Sequence, residues 1–428
     1  DAITGNVLLS FSYDQSGQLS KITDIDNNIT TLERDSLGNP TAIVSAFGQR
    51  TVLSLDSKGY LGAVTNPAGD QYQATYTASG LLTKFENPRH FASVMTYDAL
   101  GKLTNDTNAE NGSQTLARSE IGNGYQVTHT TSNGRKTIYS VENLTGEERR
   151  QVTQPDGTVS VLSTKADGTT VSTAADGSVS SSVSGPDPRF GLLAPMASSQ
   201  KLTTGNLTAN RTTQRTVVLN NPNDPLSLKT LTGTFTLNGR TATSVYDASA
   251  KTITSTSPAS RVSTTLLDAK GRVTQAQVTG ILAANASYDA QGRLETISQG
   301  TGAGQRKLDY SYNPQGYLAS VLDPLGRQVQ FQYDQAGRVT TQTLPDGRQI
   351  LYSYDANGNL VSLTPPGQPA HLFNYTGIDQ TSKYLPPDVS AGTNNTVYTY
   401  DKDKALVSVA RPDAQSMEIN HDSAGRVS

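Results

Sequence analysis

The chain carries 37 acidic residues and four histidines, the groups from which acid–base or metal chemistry would be built. Their spacing supports neither. His90, His129, His371 and His421 lie far apart, without the His-x-x-x-His or His-Glu-x-x-His pattern that sets two ring nitrogens on one helix face. The absence of cysteine from all 428 residues excludes disulfides, thiolate zinc sites and cysteine nucleophiles. Residues 300–307, GTGAGQRK, have the glycines of a phosphate loop but lack its Gly-Lys-Ser/Thr ending, and read as a hairpin loop. No Gly-x-Ser-x-Gly elbow is present at a strand–helix junction. The aspartates instead recur at a fixed interval, three residues before a glycine and often just after a tyrosine. That is turn chemistry, and the chain is expected to be non-enzymatic, with no cofactor and no metal.

Tyr13-Asp14-x-x-Gly17, Tyr97-Asp98-x-x-Gly101, Tyr288-Asp289-x-x-Gly292, Tyr333-Asp334-x-x-Gly337 and Tyr354-Asp355-x-x-Gly358 are copies of one unit. Gly17, Gly38, Gly59, Gly80, Gly101 and Gly122 follow one another at 21-residue steps. After a degenerate middle the acidic position resumes at Asp247, Asp268 and Asp289. It slips by three to Asn313, returns at Asp334 and Asp355, and ends with Asp401 and Asp422. The Asp can accept bonds from the amides that follow it, and the Gly can take the left-handed conformation that closes a type I turn with a bulge. About ten residues later comes a second turn signal, NPAG at 66–69, DPLG at 323–326 and LPDG at 344–347. Two turns in 21 residues leave two strands of about six residues, one hairpin per repeat. On the entering strand Val329, Phe331 and Tyr333 alternate with polar residues; on the leaving strand Leu19, Leu294, Val339 and Leu360 stand five residues after the acid. Each tyrosine is expected to stack on its counterpart in the next repeat while each aspartate caps its own turn.

Composition sets the thickness of what these hairpins build. Hydrophobic residues make up 34% and charged residues 17%, with a net charge of −3. That is too little apolar surface for a thick core and too little charge for a self-repelling tail, which leaves a thin repetitive structure. About forty strands at roughly 4.8 Å give a contour on the order of 190 Å. An open sheet of that width must roll up, into one circuit about 60 Å across or a more tightly wound spiral. The expected fold is therefore all-β, with less than about 10% helix: 21-residue β-hairpin repeats forming one long spiral antiparallel sheet, rolled into a hollow shell or tube. Residues 1–184 and 244–428 form its two regular parts. Residues 185–243, with GPDPRFGLLAPMASSQ and NNPNDPLSL, read as an irregular Pro/Gly-rich insertion within the same sheet, containing a hairpin turn at Asn238-Gly239. Nothing marks a nucleic-acid footprint, and no apolar run reaches the roughly 18 residues of a membrane span. The chain reads as an excerpt of a longer protein, whose unpaired terminal strand edges call for more of its own chain or a head-to-tail copy. Expressed alone, it is expected to aggregate or associate end to end.

These residues resemble the YD-repeat, or RHS-repeat, family: bacterial Rhs and wall-associated toxins, the cage-forming components of insecticidal toxin complexes, and teneurins. The match is good at 288–294, 333–339 and 354–360, and at 13–19 with Gln18 in place of the motif's arginine. It covers residues 1–162 and 244–428. The resemblance implies a spiral sheet wound into a hollow shell that in toxin members encloses a C-terminal effector, and it implies secretion or display at the cell surface. Toxin members end the shell with an autoproteolytic motif containing Asp-Pro-x-Gly. DPLG at 323–326 is instead followed by a hundred residues of ordinary repeats, so it reads as a turn. The expected function is a wall that encloses or displays another domain. The alternatives are an extracellular fibre or tube scaffold, and an adhesion module that binds a glycan or receptor.

Overall fold

Each repeat folds as a hairpin because its two turn sequences fix where the chain reverses and the intervening alternation suits a sheet. In the computed structural model, which describes residues 1–387 and 395–428, 37 strands run from β1 (Leu9–Tyr13) to β37 (Ser416–Glu418) in a single sheet. Every strand pairs antiparallel with the next one in the chain, as in β1 with β2 (Leu19–Asp24) and β2 with β3 (Ile29–Arg34). Among the described residues the only helical element is a 3-10 turn at Gly302–Gly304, in the hairpin loop of the glycine-rich stretch. The all-β meander expected from the repeat is what forms.

The wall is one sheet thick. Ala42, Leu228 and Tyr246 are the only buried hydrophobic residues among those described, and no large side chain is fully buried. The entering strand Gln328–Tyr333 alternates strictly: Val329, Phe331 and Tyr333 are half-buried while Gln328, Gln330 and Gln332 are exposed. Apolar side chains therefore cover one another along one face of the ribbon rather than filling a central core.

The ribbon winds past itself. The turn at 24–27 touches the turn at 289–292 through a hydrogen bond from Asn28 Nδ2 to the Gln291 carbonyl, 263 residues on. The same step recurs from Gln49 to Gln315 (266 residues), Glu110 to Gly377 (267), Arg89 to Asn357 (268) and Arg426 back to Asp156 (270). Between facing turns lie twenty-three strands, for instance β3 to β25 (Ala284–Tyr288). At roughly 4.8 Å per strand one winding is about 110 Å around and about 35 Å across. With about 268 residues per winding, 428 residues make about 1.6 windings. The structure thus takes the tighter of the two expected forms, a spiral tube.

The stretch 185–243 lies within the sheet, with register shifts at Gly185/Asp187 and Val218/Leu219. It contains the longest strands, Gly191–Thr204 and Leu207–Leu219, and the sheet continues through it without a break. Pro195 fits in Gly191–Thr204 because only Ser199–Thr204 pair with the following strand; opposite Pro195 that edge has no ladder partner to lose. Asn238 and Gly239 both have positive φ, +48° and +79°, and make the expected two-residue turn.

Candidate functional site: the turn rims and the seam between windings

The repeat motif builds one local device many times. In the turn at 289–292 the Asp289 amide donates to the Arg293 carbonyl (2.9 Å) and the Gly292 amide to the Asp289 carbonyl (3.0 Å). Asp289 Oδ1 accepts from the amides of Gln291 (3.0 Å) and Arg293 (2.8 Å). Asp14, Asp98 and Asp355 each accept from the equivalent two amides, and Asp334 from the Arg338 amide. Gly17, Gly101, Gly292, Gly337 and Gly358 all sit at φ between +77° and +92°, where a side chain is strained. The Asp-Pro-x-Gly turn is the same device: Asp323 Oδ1 takes the amides of Leu325 and Arg327, each at 2.9 Å. The geometry is that of a repeat turn, with the carboxylate committed to its own loop.

The tyrosines do not stack on one another as expected. The Tyr354 hydroxyl donates instead to the Val339 carbonyl (2.9 Å), Tyr333 to Leu318 (2.8 Å), Tyr288 to Val273 (2.9 Å) and Tyr97 to Leu82 (2.7 Å), each acceptor 15 residues back. The ring then lies against the residue just before that carbonyl. Arg338 stands over Tyr354 (5.3 Å to the ring centre) and Arg272 over Tyr288 (4.6 Å), while Tyr317 packs on Tyr333 (4.9 Å). A 21-residue repeat brings the next tyrosine over the Arg-Leu pair of the previous unit, not over the previous tyrosine. Burial pushes the Tyr333, Tyr354 and Tyr375 phenols above 10. Tyr13 makes no such bond among the described residues and is 62% exposed.

The motif arginine is the functional residue that sequence reasoning left without a role. Arg272 binds its own turn through Nε to Asp268 Oδ2 (2.7 Å), stacks on Tyr288, and reaches across to Asp26 Oδ1 of the other winding through Nη1 (2.9 Å). Arg426 likewise holds Asp422 (2.8 Å) and Asp156 (2.8 Å). Burial raises the Asp268 and Asp289 carboxyls, but the amide and guanidinium bonds of Arg272 and Arg293 outweigh it and leave both below the ordinary value. At two turns whose motif position is not arginine, Asn359 and Ala405, the facing rim supplies one. Arg89 donates to the Thr376 and Tyr375 carbonyls (3.0 and 3.1 Å) and to Asp379 (3.0 Å), close to Asn359. Arg135 pairs with Asp403 (2.7 Å), beside Ala405.

The tube therefore has two kinds of joint. Within the ribbon, strands are joined by backbone ladders. Between windings, the seam brings the second-signal turns of residues 24–157 against the Tyr-Asp turns of residues 268–426, and no backbone–backbone hydrogen bond crosses it among the described residues. The histidines take no shared site: His371 Nδ1 meets the Tyr384 hydroxyl (2.7 Å) with the rings stacked, His90 meets Glu86 (3.1 Å), His129 meets Gln114 (3.1 Å), and His421 bridges to Val427.

The teneurin YD-shell family model matches residues 1–428, the whole chain. The chain belongs to that family. None of the curated proteins matches it. Among solved structures, the TcdB2–TccC3 complex is similar at 11% identity over 99% of this chain and 32% of that one, with a TM-score of 0.40. The Tc holotoxin pore of Photorhabdus luminescens is similar at 12% identity over 98% of this chain and 27% of that one, with a TM-score of 0.42. This YD-shell chain thus spans about a third or less of the length of those chains.

Proposed function

We propose that this YD-shell segment is a non-enzymatic wall that encloses another part of its own protein, a C-terminal effector domain, on a secreted or surface-displayed molecule. The observation that carries this reading is the seam: turns about 268 residues apart lock together, so the ribbon surrounds a space instead of spreading as an open sheet. The motif side chains support it, because Asp, Arg and Tyr are all engaged in holding the wall. In the full-length protein, a segment lying inside the shell resists protease while the shell is intact and is digested once denaturant opens it. Digestion of every non-repeat segment at the same rate with and without denaturant would refute enclosure.

One observation favours the adhesion alternative. A hollow of about 620 Å³ is lined by His371, Phe373, Tyr384, Tyr398 and Tyr400, rings of the kind on which sugars stack. A glycan array decides it: micromolar binding that is lost in Tyr398→Ala would support a glycan-binding role, and no reproducible binding would leave the wall reading alone.

A further inference from the structure

Three units of the second winding place a guanidinium in the same spot. Arg272, Arg293 and Arg338 each bind the aspartate of their own turn through Nε (2.7, 2.7 and 2.6 Å). Each also lies over the tyrosine of the next unit, Tyr288, Tyr312 and Tyr354 (4.6, 4.3 and 5.3 Å to the ring centre). The unit at 376–380 departs from this, with Thr376 where the aspartate would stand and Gln380 where the arginine would. The next tyrosine nevertheless keeps its position: the Tyr400 hydroxyl donates to the Thr381 carbonyl (2.9 Å), as Tyr354 does to Val339. Glutamine is shorter than arginine and uncharged, and a cavity of about 250 Å³ lies between Gln380, Tyr400 and the facing turn.

The cavity has the walls of a cation site, and both rims that form it are joined at the seam. Tyr398 and Tyr400 line it, and Glu110 enters from the other winding. Glu110 Oε1 accepts from the Gly377 amide (2.6 Å), but its carboxylate has no cationic partner among the described residues. Asp26, Asp156 and Asp379, by contrast, each meet an arginine across the seam. Gln380 Nε2 donates to the Lys404 carbonyl (2.9 Å), while its Oε1 is buried without a donor. Asp401 is already held by Asn133 (2.7 Å) and Arg135 (3.8 Å). Glu110 and Lys402, both exposed, open the cavity to solvent, and Lys402 makes no ion pair among the described residues. We infer that this cavity binds an alkylguanidinium, the group that ends an arginine side chain, brought by another molecule. The Tyr400 ring attracts the cation, Glu110 takes its N–H groups, and Gln380 Oε1 gains a donor. A metal ion suits the walls less, because no group of three metal-ligating side chains forms among the described residues.

Isothermal titration of the whole chain with butylguanidinium tests this. One equivalent is expected to bind, and the neutral butylurea of the same shape is not. Glu110→Gln should weaken binding about tenfold, the worth of a charged hydrogen bond. Gln380→Arg supplies the guanidinium from the chain itself, so it should abolish binding and raise the denaturant midpoint. Unchanged circular dichroism verifies that both variants fold. An arginine flanked by glycines in a short peptide separates the sources: its binding assigns the cavity to a side chain, and binding of butylguanidinium alone assigns it to a free small cation. The inference is overturned if the wild type binds no butylguanidinium, if butylurea binds equally well, or if Gln380→Arg binds undiminished. Binding that appears only in Lys402→Ala also overturns it, since the Lys402 ammonium would then be the occupant.

Discussion

Tyr354 reaches back 15 residues to the Val339 carbonyl at 2.9 Å, and its ring lies under Arg338. Removing only the hydroxyl, Tyr354→Phe, should cost about 1 kcal/mol in denaturant unfolding, the worth of one intramolecular hydrogen bond. Tyr13→Phe should cost nothing measurable, because Tyr13 has no such acceptor among the described residues and is exposed. Equal losses at the two sites would show that the carbonyl bond is not what the tyrosine contributes. The turn glycines separate strain from crowding in the same way. Gly347 has φ +82° with open space around an added Cβ, whereas Gly337 has φ +83° and would bring a Cβ to 2.6 Å from the Tyr317 hydroxyl. Gly347→Ala should cost about 1 kcal/mol for the left-handed backbone, and Gly337→Ala more than that. Denaturant midpoints that reverse this order would contradict the packing described.

Where the fold lowers a turn aspartate's pKa, the ionised carboxylate stabilises that turn. The amide and guanidinium bonds of Arg426 hold the Asp422 carboxyl below 3.8, and Asp323 is lowered by its Arg327 side-chain and amide bonds. Asp268 and Asp289 are lowered on balance despite their burial. A carboxyl whose folded pKa lies below its unfolded one stabilises the fold above the unfolded value, and that stability is lost as pH falls through the folded value. Since the ordinary value here is 3.8, the ribbon should be insensitive to pH above it and lose strand signal progressively below it. Circular dichroism from about pH 5 to about pH 2 measures this; a transition complete above pH 3.8 would assign acid sensitivity to other groups. The tyrosines act at the opposite end. Their phenols are raised above 10 by burial, so their contribution persists below 10 and is lost as pH rises beyond it.

On the scale of the whole molecule, ladder and seam differ in kind. Separating two strands of the ribbon breaks a row of backbone bonds, while separating two windings breaks side-chain contacts, many of them ion pairs that salt screens. The seam is therefore the line along which the tube opens. Across it the Arg89 guanidinium meets the Tyr375 and Thr376 carbonyls and the Asp379 and Asp355 carboxylates. Arg89→Ala should lower stability by about 2 kcal/mol, as expected for hydrogen bonds to charged and buried groups. It should also increase the radius of gyration in high salt while strand content is unchanged. Loss of strand signal in step with expansion would show that seam and ladder are one cooperative unit.

The local unit was legible in the amino-acid order because every interaction that makes it is short-range. Asp289 and Gly292 bond within one turn, the alternation at Gln328–Tyr333 needs only a neighbouring strand, and a low apolar fraction already demands a single layer. Three things required the tertiary structure. The tyrosine's partner depends on how one hairpin is offset from the previous one, which brings Tyr288 to Arg272 and Val273 rather than to another tyrosine. The long strands of 185–243 depend on a sheet that stops pairing opposite Pro195, and no local signal marks where a ladder stops. The winding number follows from small twists summed over twenty-three strands, so no residue encodes it by itself. The seam partners, Asp26 with Arg272 or Asp156 with Arg426, are set only once that sum is fixed. Repetition determined the wall, and accumulated curvature decided which turns meet.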